Sequence, residues 1–286
     1  MYYLRLYKIR ILVCILCVLA FSGCYYKPHS EAYQRLYSHL DGHKPKKKNI
    51  IASDFYLILL VNARHLDYSD GKRLLKTIRK HPSDGSKNGD VGHAWILLKG
   101  VVNGKPWMIE GGHSGELGQF QPRYFDGIMD RIESGDANPV GYLWEVQRDG
   151  FFQMGSGGHR PSYAIKVDLT EKQFLAILSF IDPRHYDYPN YALFGNQCAT
   201  FVAAVAKIVH LDLNCEVTIP IPQSLSMGQK TFYLWSDPSY SQLTLSSPDI
   251  LEQSMMQAVE EERVEYALPF YLKSKRATCI LLPNYF

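Results

Sequence analysis

Apolar and polar residues follow two rhythms along this chain, and the changes of rhythm predict a molecule of mixed strands and helices. Phe55 to Val61 is a short unbroken apolar run between polar residues, the pattern of a buried strand or a helix turn. Gly71 to Lys80 places Leu74, Leu75 and Ile78 at helical spacing, and the stretch 81–90 that follows is rich in turn formers. His93 to Lys99 and Pro106 to Glu110 predict two strands joined around Asn103-Gly104, a dipeptide that favours tight hairpins between apolar runs. Val140 to Val146 and Tyr163 to Val167 predict two more. The run from Asp168 opens a helix with acidic and Thr residues at its start and Phe174, Ile177, Leu178 and Ile181 on one face, and Asp182-Pro183 ends it. An Ala- and Val-rich helix starts near Cys198. Ser247 to Arg263 predicts a surface helix stepping through Leu251, Met255 and Val259, and Thr278 to Leu282 a last strand. Together these give one core of mixed strands and helices with a C-terminal extension.

The first residues have a different pattern. Arg5, Lys8 and Arg10 precede an uncharged apolar run from Ile11 to Phe21, which is short for a membrane span and suits the core of a secretory signal. Phe21-Ser22-Gly23-Cys24 then reads as a lipobox, with small residues before a cysteine that would become the acylated N-terminus. Phe21 stands where Leu is usual. The expected organisation is a lipoprotein signal peptide over 1–24, a flexible Lys- and His-rich tether over 25–49, one catalytic domain over 50–225, and an extension of unknown role over 226–286. Tyr25 follows the cysteine, where an Asp would favour inner-membrane retention. The expected place is therefore the cell envelope, lipid-anchored in the outer membrane and facing the periplasm.

Charge and cysteine usage refine this. The formal net charge is +3, and residues 1–24 hold three basic and no acidic residues, so the processed chain would be neutral. A neutral chain gives no electrostatic case for nucleic acid as a partner. Lys44 and Lys46-Lys47-Lys48 are the one notable basic run, read as a solvated linker near the anchor. Of six cysteines, Cys14 and Cys17 would leave with the signal and Cys24 would be acylated. Cys198, Cys215 and Cys279 remain, an odd number in an oxidising compartment. The economical pairing joins Cys215 to Cys279 and leaves Cys198 free, although all three can stay reduced.

The candidate chemistry gathers at Cys198 and His93. A thiol with an ordinary pKa is a modest nucleophile, and a helix N-terminus and an imidazole both favour its thiolate. Asn196 is a good N-cap, placing Cys198 in the first turn, where unpaired N–H groups can bind an oxyanion. With Asn103-Gly104 as the turn, position 93 faces position 114, so residues 110, 112 and 114 share its face. Glu110 is then the expected group to orient the imidazole, with His113 as the alternative, since His113 should point away unless a bulge intervenes.

On these residues a resemblance appears. His93-Ala-Trp-Ile-Leu, a hairpin, Met108-Ile109-Glu110, then Tyr191 and Asn196-Gln197-Cys198-Ala-Thr-Phe201 resemble the circularly permuted branch of the NlpC-type papain-like superfamily, the branch similar to lecithin:retinol acyltransferases. The resemblance covers residues 88–212. It implies a permuted papain-like α+β fold, an antiparallel sheet packed against the buried helix that carries Cys198, with Cys198 as nucleophile, His93 as base, Glu110 as orienting group, and Tyr191 supporting the oxyanion or shaping the pocket, beside Asn196 and Gln197. The hairpin is longer than in compact members, and Gln197 interrupts the usual Asn-Cys adjacency.

No cofactor or metal is implied. His113 with Glu116, and His159 in Gly157-Gly-His-Arg, have no second His or Cys at ligand spacing. The expected function is a membrane-anchored thiol hydrolase cleaving an amide in cell-wall peptide or protein through an acyl-enzyme. Alternatives are an acyltransferase or esterase acting on lipid, and a non-catalytic surface lipoprotein that keeps the fold for binding. Occlusion of Cys198, or a His93 ring turned away from it, would favour the last.

Overall fold

The computed structural model describes residues 53–71, 73, 74, 77, 91–115, 146, 148–192, 195–220, 224–227, 229–233 and 241–277. The predicted signal, the tether, Cys24, the strand at Val140 to Val146, and the strand at Thr278 to Leu282 with Cys279 lie outside those residues, apart from Val146.

The strands in chain order are β1 (Tyr56–Asn62), β2 (His93–Val102), β3 (Lys105–Ser114), β4 (Phe151–Met154), β5 (Tyr163–Asp168), β6 (Glu216–Pro220), β7 (Ser224–Met227), β8 (Lys230–Tyr233), β9 (Gln242–Ser246) and β10 (Glu265–Tyr266). The helices are α1 (Glu171–Phe180), α2 (Cys198–Ile208), α3 (Pro248–Glu260) and α4 (Leu268–Ala277). Six strands form one antiparallel sheet in the order β10-β5-β1-β2-β3-β4, so the earliest strand stands inside it. The fold is α+β.

The central strand shows why its sequence has no alternation. All seven residues of β1 are buried: Leu57, Leu59 and Val61 enter a core with α1, α2 and α3, while Tyr56, Ile58 and Leu60 enter a second core with Tyr271 of α4. A strand covered on both faces needs apolar residues on both, which erases the period-two signal. In β2 the same alternation sends Ala94, Ile96 and Leu98 to the α2 side, and Trp95 and Leu97 to the α4 side. Asn103 and Gly104 both have positive φ (53° and 71°), as the two-residue hairpin turn requires. The β2–β3 register runs from Val102↔Lys105 to Ile96↔Gly111, in step with the register expected from that turn.

Local chemistry sets the helix starts. Thr170 caps α1 and accepts from the Gln173 N–H, while Gln173 Oε1 accepts from the Thr170 N–H in return. Gln197, not Asn196, caps α2: its Oε1 accepts from the Ala199 N–H, and Thr200 Oγ1 accepts from the Gln197 N–H at 2.8 Å. Cys198 is therefore the first helical residue, still in the first turn. Phe201, Val202 and Val205 of α2 are fully buried, each contributing about 1.5–3 kcal/mol by leaving water.

The expected boundary at residue 225 does not divide the packing. Leu251 and Met255 of α3 share the core of Cys198, β10 extends the main sheet beside β5, and α4 covers its second face. The helix expected at the surface is thus a core helix, with Asp249 and Glu252 buried along with Leu251 and Met255. The β6–β9 ribbon adds a smaller core in which Leu66, Tyr68 and Leu74 meet Ile219, Leu245 and Ile250. Gly71, Arg73, Leu74 and Thr77 are helical, as the spacing predicts.

Candidate functional site

The sulfur of Cys198 sits where β2 and β3 part. Their ladder ends at Ile96↔Gly111, while along its other edge β3 pairs with β4, Gly111 to Ser114 against Met154 to Phe151. Beyond that point the backbone N–H of Ala94, with those of Ala199 and Cys198 itself, favours a charge on the sulfur. The thiol proton points to Gln197 Oε1 at 2.9 Å, and Gln197 Nε2 donates to the Ser246 carbonyl at 2.6 Å. Cys198 is 3% exposed. Burial pushes its thiol up to about 12 against the pull of the three N–H groups, so it is protonated at neutral pH.

His93 and Glu110 are not beside that sulfur. The ring of His93 stacks on Trp95 (centroids 5.7 Å apart, planes 14° apart) and packs against His159 at 5.0 Å, on the sheet face opposite α2. Strand alternation is the cause: Ala94 faces the helix, so its neighbours on either side face the other way. Glu110 does share the face of His93, as the register implies. It lies four positions along, about 13 Å at strand rise, with Trp95 between them. Its carboxylate accepts from Trp95 Nε1 (3.2 Å) and Tyr271 OH (2.7 Å) and pairs with Lys275 Nζ (3.0 Å), fastening α4 to the sheet.

His113 is the histidine on the α2 side. It points away from the His93 face, as alternation requires, and that direction brings its ring to Phe201 of α2 (6.4 Å) inside a wall of Tyr186, Tyr188 and Tyr191. Its Nε2 lies 2.8 Å from the Tyr188 carbonyl, which can only accept, so Nε2 carries the proton and Nδ1 is left to accept from Tyr186 OH at 3.1 Å. Burial drops its pKa to about 4, with the Tyr188 carbonyl opposing, so the imidazole is neutral at pH 7. Tyr186 OH also lies 3.3 Å from Asn196 Oδ1, and burial pushes its phenol up to about 12, with a smaller push from Cys198. Asn196 Nδ2 donates to the Asn190 carbonyl at 2.5 Å, so Asn196 ties the 186–192 loop to the start of α2 rather than capping it. Tyr191 shapes the wall: its ring meets His113 edge-on at 5.1 Å and would fill any Cβ added at Gly115.

Cys215 is free and buried, and burial pushes its thiol up to about 11; Cys279, its expected partner, lies outside the described residues. Among the described residues no group of three or more His, Cys, Asp or Glu is arranged to hold a metal ion.

Sequence reasoning missed a second buried polar cluster at the start of α3. Ser247 caps that helix, and Asp249 Oδ1 accepts the N–H groups of Arg64 (2.6 Å) and His65 (3.0 Å), while Oδ2 accepts those of Leu66 (2.7 Å) and Tyr68 OH (2.9 Å). One turn on, Glu252 lies 2.5 Å from His65 Nε2 and accepts from Ser162 Oγ at 2.6 Å. Ser247-Pro248-Asp249 is a readable helix start, but nothing in the sequence brings residues 64–68 to it. No protein-family model, no curated protein and no solved structure matches this chain.

Proposed function

We propose that the chain is a thiol hydrolase of the permuted papain-like kind, cleaving an amide in cell-wall peptide or protein through Cys198, and that the arrangement described above is its resting form. The supporting observation is the place of Cys198, the first residue of a buried helix capped by Gln197, whose Oε1 takes the thiol proton at 2.9 Å. A helix N-terminus favours a thiolate over a thiol, and the neighbouring backbone N–H groups pull the same way. In this reading His93 is the base. It is the residue before Ala94, and its ring must leave Trp95 to take the thiol proton. The thiolate then adds to the carbonyl, the imidazolium protonates the departing amine, and water releases the acyl group. His113, with both ring nitrogens engaged, shapes the wall behind the helix, and Glu110 anchors α4 instead of orienting His93. Acylation at Cys24 would hold the domain at the envelope membrane, within reach of cell-wall peptide.

A second reading, a thiol that only packs within a binding module, is favoured by the burial of Cys198, its pKa near 12 and the His93 ring turned to the other face of the sheet. The two separate when wild type and Cys198→Ala are incubated with peptidoglycan fragments, a protein substrate and phospholipid, and the products are read by mass spectrometry. New amine termini released by wild type alone support the hydrolase. Cleaved ester or transferred acyl chains would move the reading to lipid chemistry, and matching profiles would leave the binding module.

A further inference from the structure

Both polar atoms of the Gln197 side chain are engaged, and their partners dictate which atom points where. The Ser246 carbonyl can only accept, so Nε2 faces it at 2.6 Å; the Ala199 N–H can only donate, so Oε1 faces it at 3.3 Å. The orientation of the amide therefore follows from the chemistry on both sides. The same Oε1 lies 2.9 Å from Cys198 Sγ. An amide oxygen has no proton to give, so the sulfur supplies it, and the contact exists only while Cys198 is a thiol. A thiolate in that place would set two acceptors against each other. A hydrogen bond made by the neutral form of an acid opposes its ionisation.

The amide cannot turn over to meet a thiolate. Reversal would bring Nε2 to the sulfur, but it would also set Oε1 against the Ser246 carbonyl and Nε2 against the Ala199 N–H. Both neighbours are held. Ala199 belongs to α2 and is fully buried. Ser246 ends β9, where it pairs with Glu216 of β6, and the next residue gives its N–H to the Cys215 carbonyl at 2.8 Å and caps α3. Gln197 itself is 1% exposed, so bulk water does not compete for its amide. A helix start that needed only a cap would be served better by Ser, Thr, Asp or Asn.

We infer that Gln197 is a positioning residue that locks the Cys198 sulfur in its protonated form, with the Ser246 carbonyl fixing the lock. This rests on the hydrolase reading for its purpose, but not for its test. A helix start that favours a thiolate carries its own restraint, and the nucleophile forms only when Oε1 is drawn away from the sulfur.

The test uses the full chain and reads ionisation directly, from the ultraviolet absorbance of the thiolate between about pH 6 and about pH 11. Each protein is measured against its own Cys198→Ala counterpart, which isolates the one sulfur from the other cysteines and from the tyrosines. Gln197→Met keeps the length of the side chain and replaces the amide oxygen by a weak acceptor. At a fixed alkaline pH its thiolate fraction should exceed that of wild type by about tenfold, the worth of one hydrogen bond. Gln197→Glu keeps an acceptor against the sulfur, whether its carboxyl is protonated and donates to Ser246 or is ionised, and should give no more thiolate than wild type. A helix start that is merely loosened would raise ionisation in both variants. The S–H stretching band of Cys198, taken as the Raman difference between wild type and Cys198→Ala, gives an independent signal. Hydrogen bonding lowers its frequency, and in Gln197→Met the band should return toward that of a free thiol. An unchanged thiolate fraction in Gln197→Met would overturn the inference, as would an equal rise in Gln197→Glu. A wild-type band at the free-thiol frequency would overturn it even if Gln197→Met fails to fold. A lock shown in this way without cleavage of any substrate would leave the positioning role standing and remove the hydrolase reading. Cleavage by wild type beside an unchanged thiolate fraction in Gln197→Met would do the reverse.

Discussion

The first turns of α2 and α3 meet the same requirement with different groups. Each helix begins at a side-chain cap, Gln197 or Ser247, and each buries a functional group at its start that receives backbone N–H donors from the β1–β2 end of the sheet. At α3 the group is the Asp249 carboxylate, which takes three backbone N–H groups and a tyrosine hydroxyl and has no capacity to spare. At α2 the group is a protonated thiol that donates to Gln197 Oε1, and the backbone N–H groups near it do not offset its burial. The saturated site is a fastener. The other holds an uncharged group, because burial outweighs the pull of the donors around it.

That contrast is broken most forcefully at Asp249. Asp249→Ala would orphan three buried N–H groups and the Tyr68 hydroxyl, and should lower unfolding stability by about 3 kcal/mol or more, read from the shift of the urea midpoint. A loss below about 1 kcal/mol would mean that the cluster is no fastener. Next is His65. Burial lowers its pKa, but the Glu252 hydrogen bond and charge, with the charge of Asp249, outweigh burial and leave it raised above 6.5. Its contribution is therefore complete below the unfolded value of 6.5 and lost as pH rises through the raised folded value. Wild type should lose stability across that interval, and His65→Gln should flatten the profile of unfolding midpoint against pH.

The α2 side should respond more weakly in stability. Gln197→Ala removes the cap on Ala199, the acceptor of the thiol proton and the bond to Ser246, and should cost between about 1 and 2 kcal/mol by thermal or urea unfolding. Cys198→Ala should change stability by less than about 1 kcal/mol while abolishing product release. A cost above about 2 kcal/mol with no effect on any product would make the sulfur a second fastener, and the contrast between the two helix starts would collapse.

The particular elements show how far sequence reasoning reached. Asn103-Gly104 set the turn, and the turn set a register that holds from Val102↔Lys105 to Ile96↔Gly111. It stops there, and Gly111 to Ser114 pair along the other edge of β3 with β4, a strand no pattern announced. The consequence of alternation was harder to see. Sequence places His93 and Glu110 on one face and His113 on the other, but which of those faces meets α2 is decided by Ala94, Ile96 and Leu98 packing on it. Because β2 is apolar on both sides, nothing local marks the helix-bearing face. Asn196 and Gln197 are adjacent polar residues either of which can cap, and the Asn190 carbonyl, brought in by a distant turn, claims the first. Ser247 to Arg263 looks like a surface helix because Asp249 and Glu252 are charged; their partners at residues 64–66 and 162 are what allow those charges inside.

The position of β1 in the sheet has a consequence for how the chain reaches its native state. Tyr56–Asn62 is synthesised before the other described strands, yet one of its neighbours is β5, where Tyr56 pairs with Asp168, and the loop behind it waits for Glu252, 187 residues beyond His65. Until those partners arrive, Tyr-Leu-Ile-Leu-Leu-Val-Asn is a seven-residue stretch without charge or proline, and both of its edges can accept any strand. Refolding should accordingly be slow, limited by closure of these distant contacts. Its yield should fall steeply as protein concentration rises, with self-association starting from this strand, and a lysine at Ile58 should raise solubility of the unfolded chain while preventing the sheet from closing.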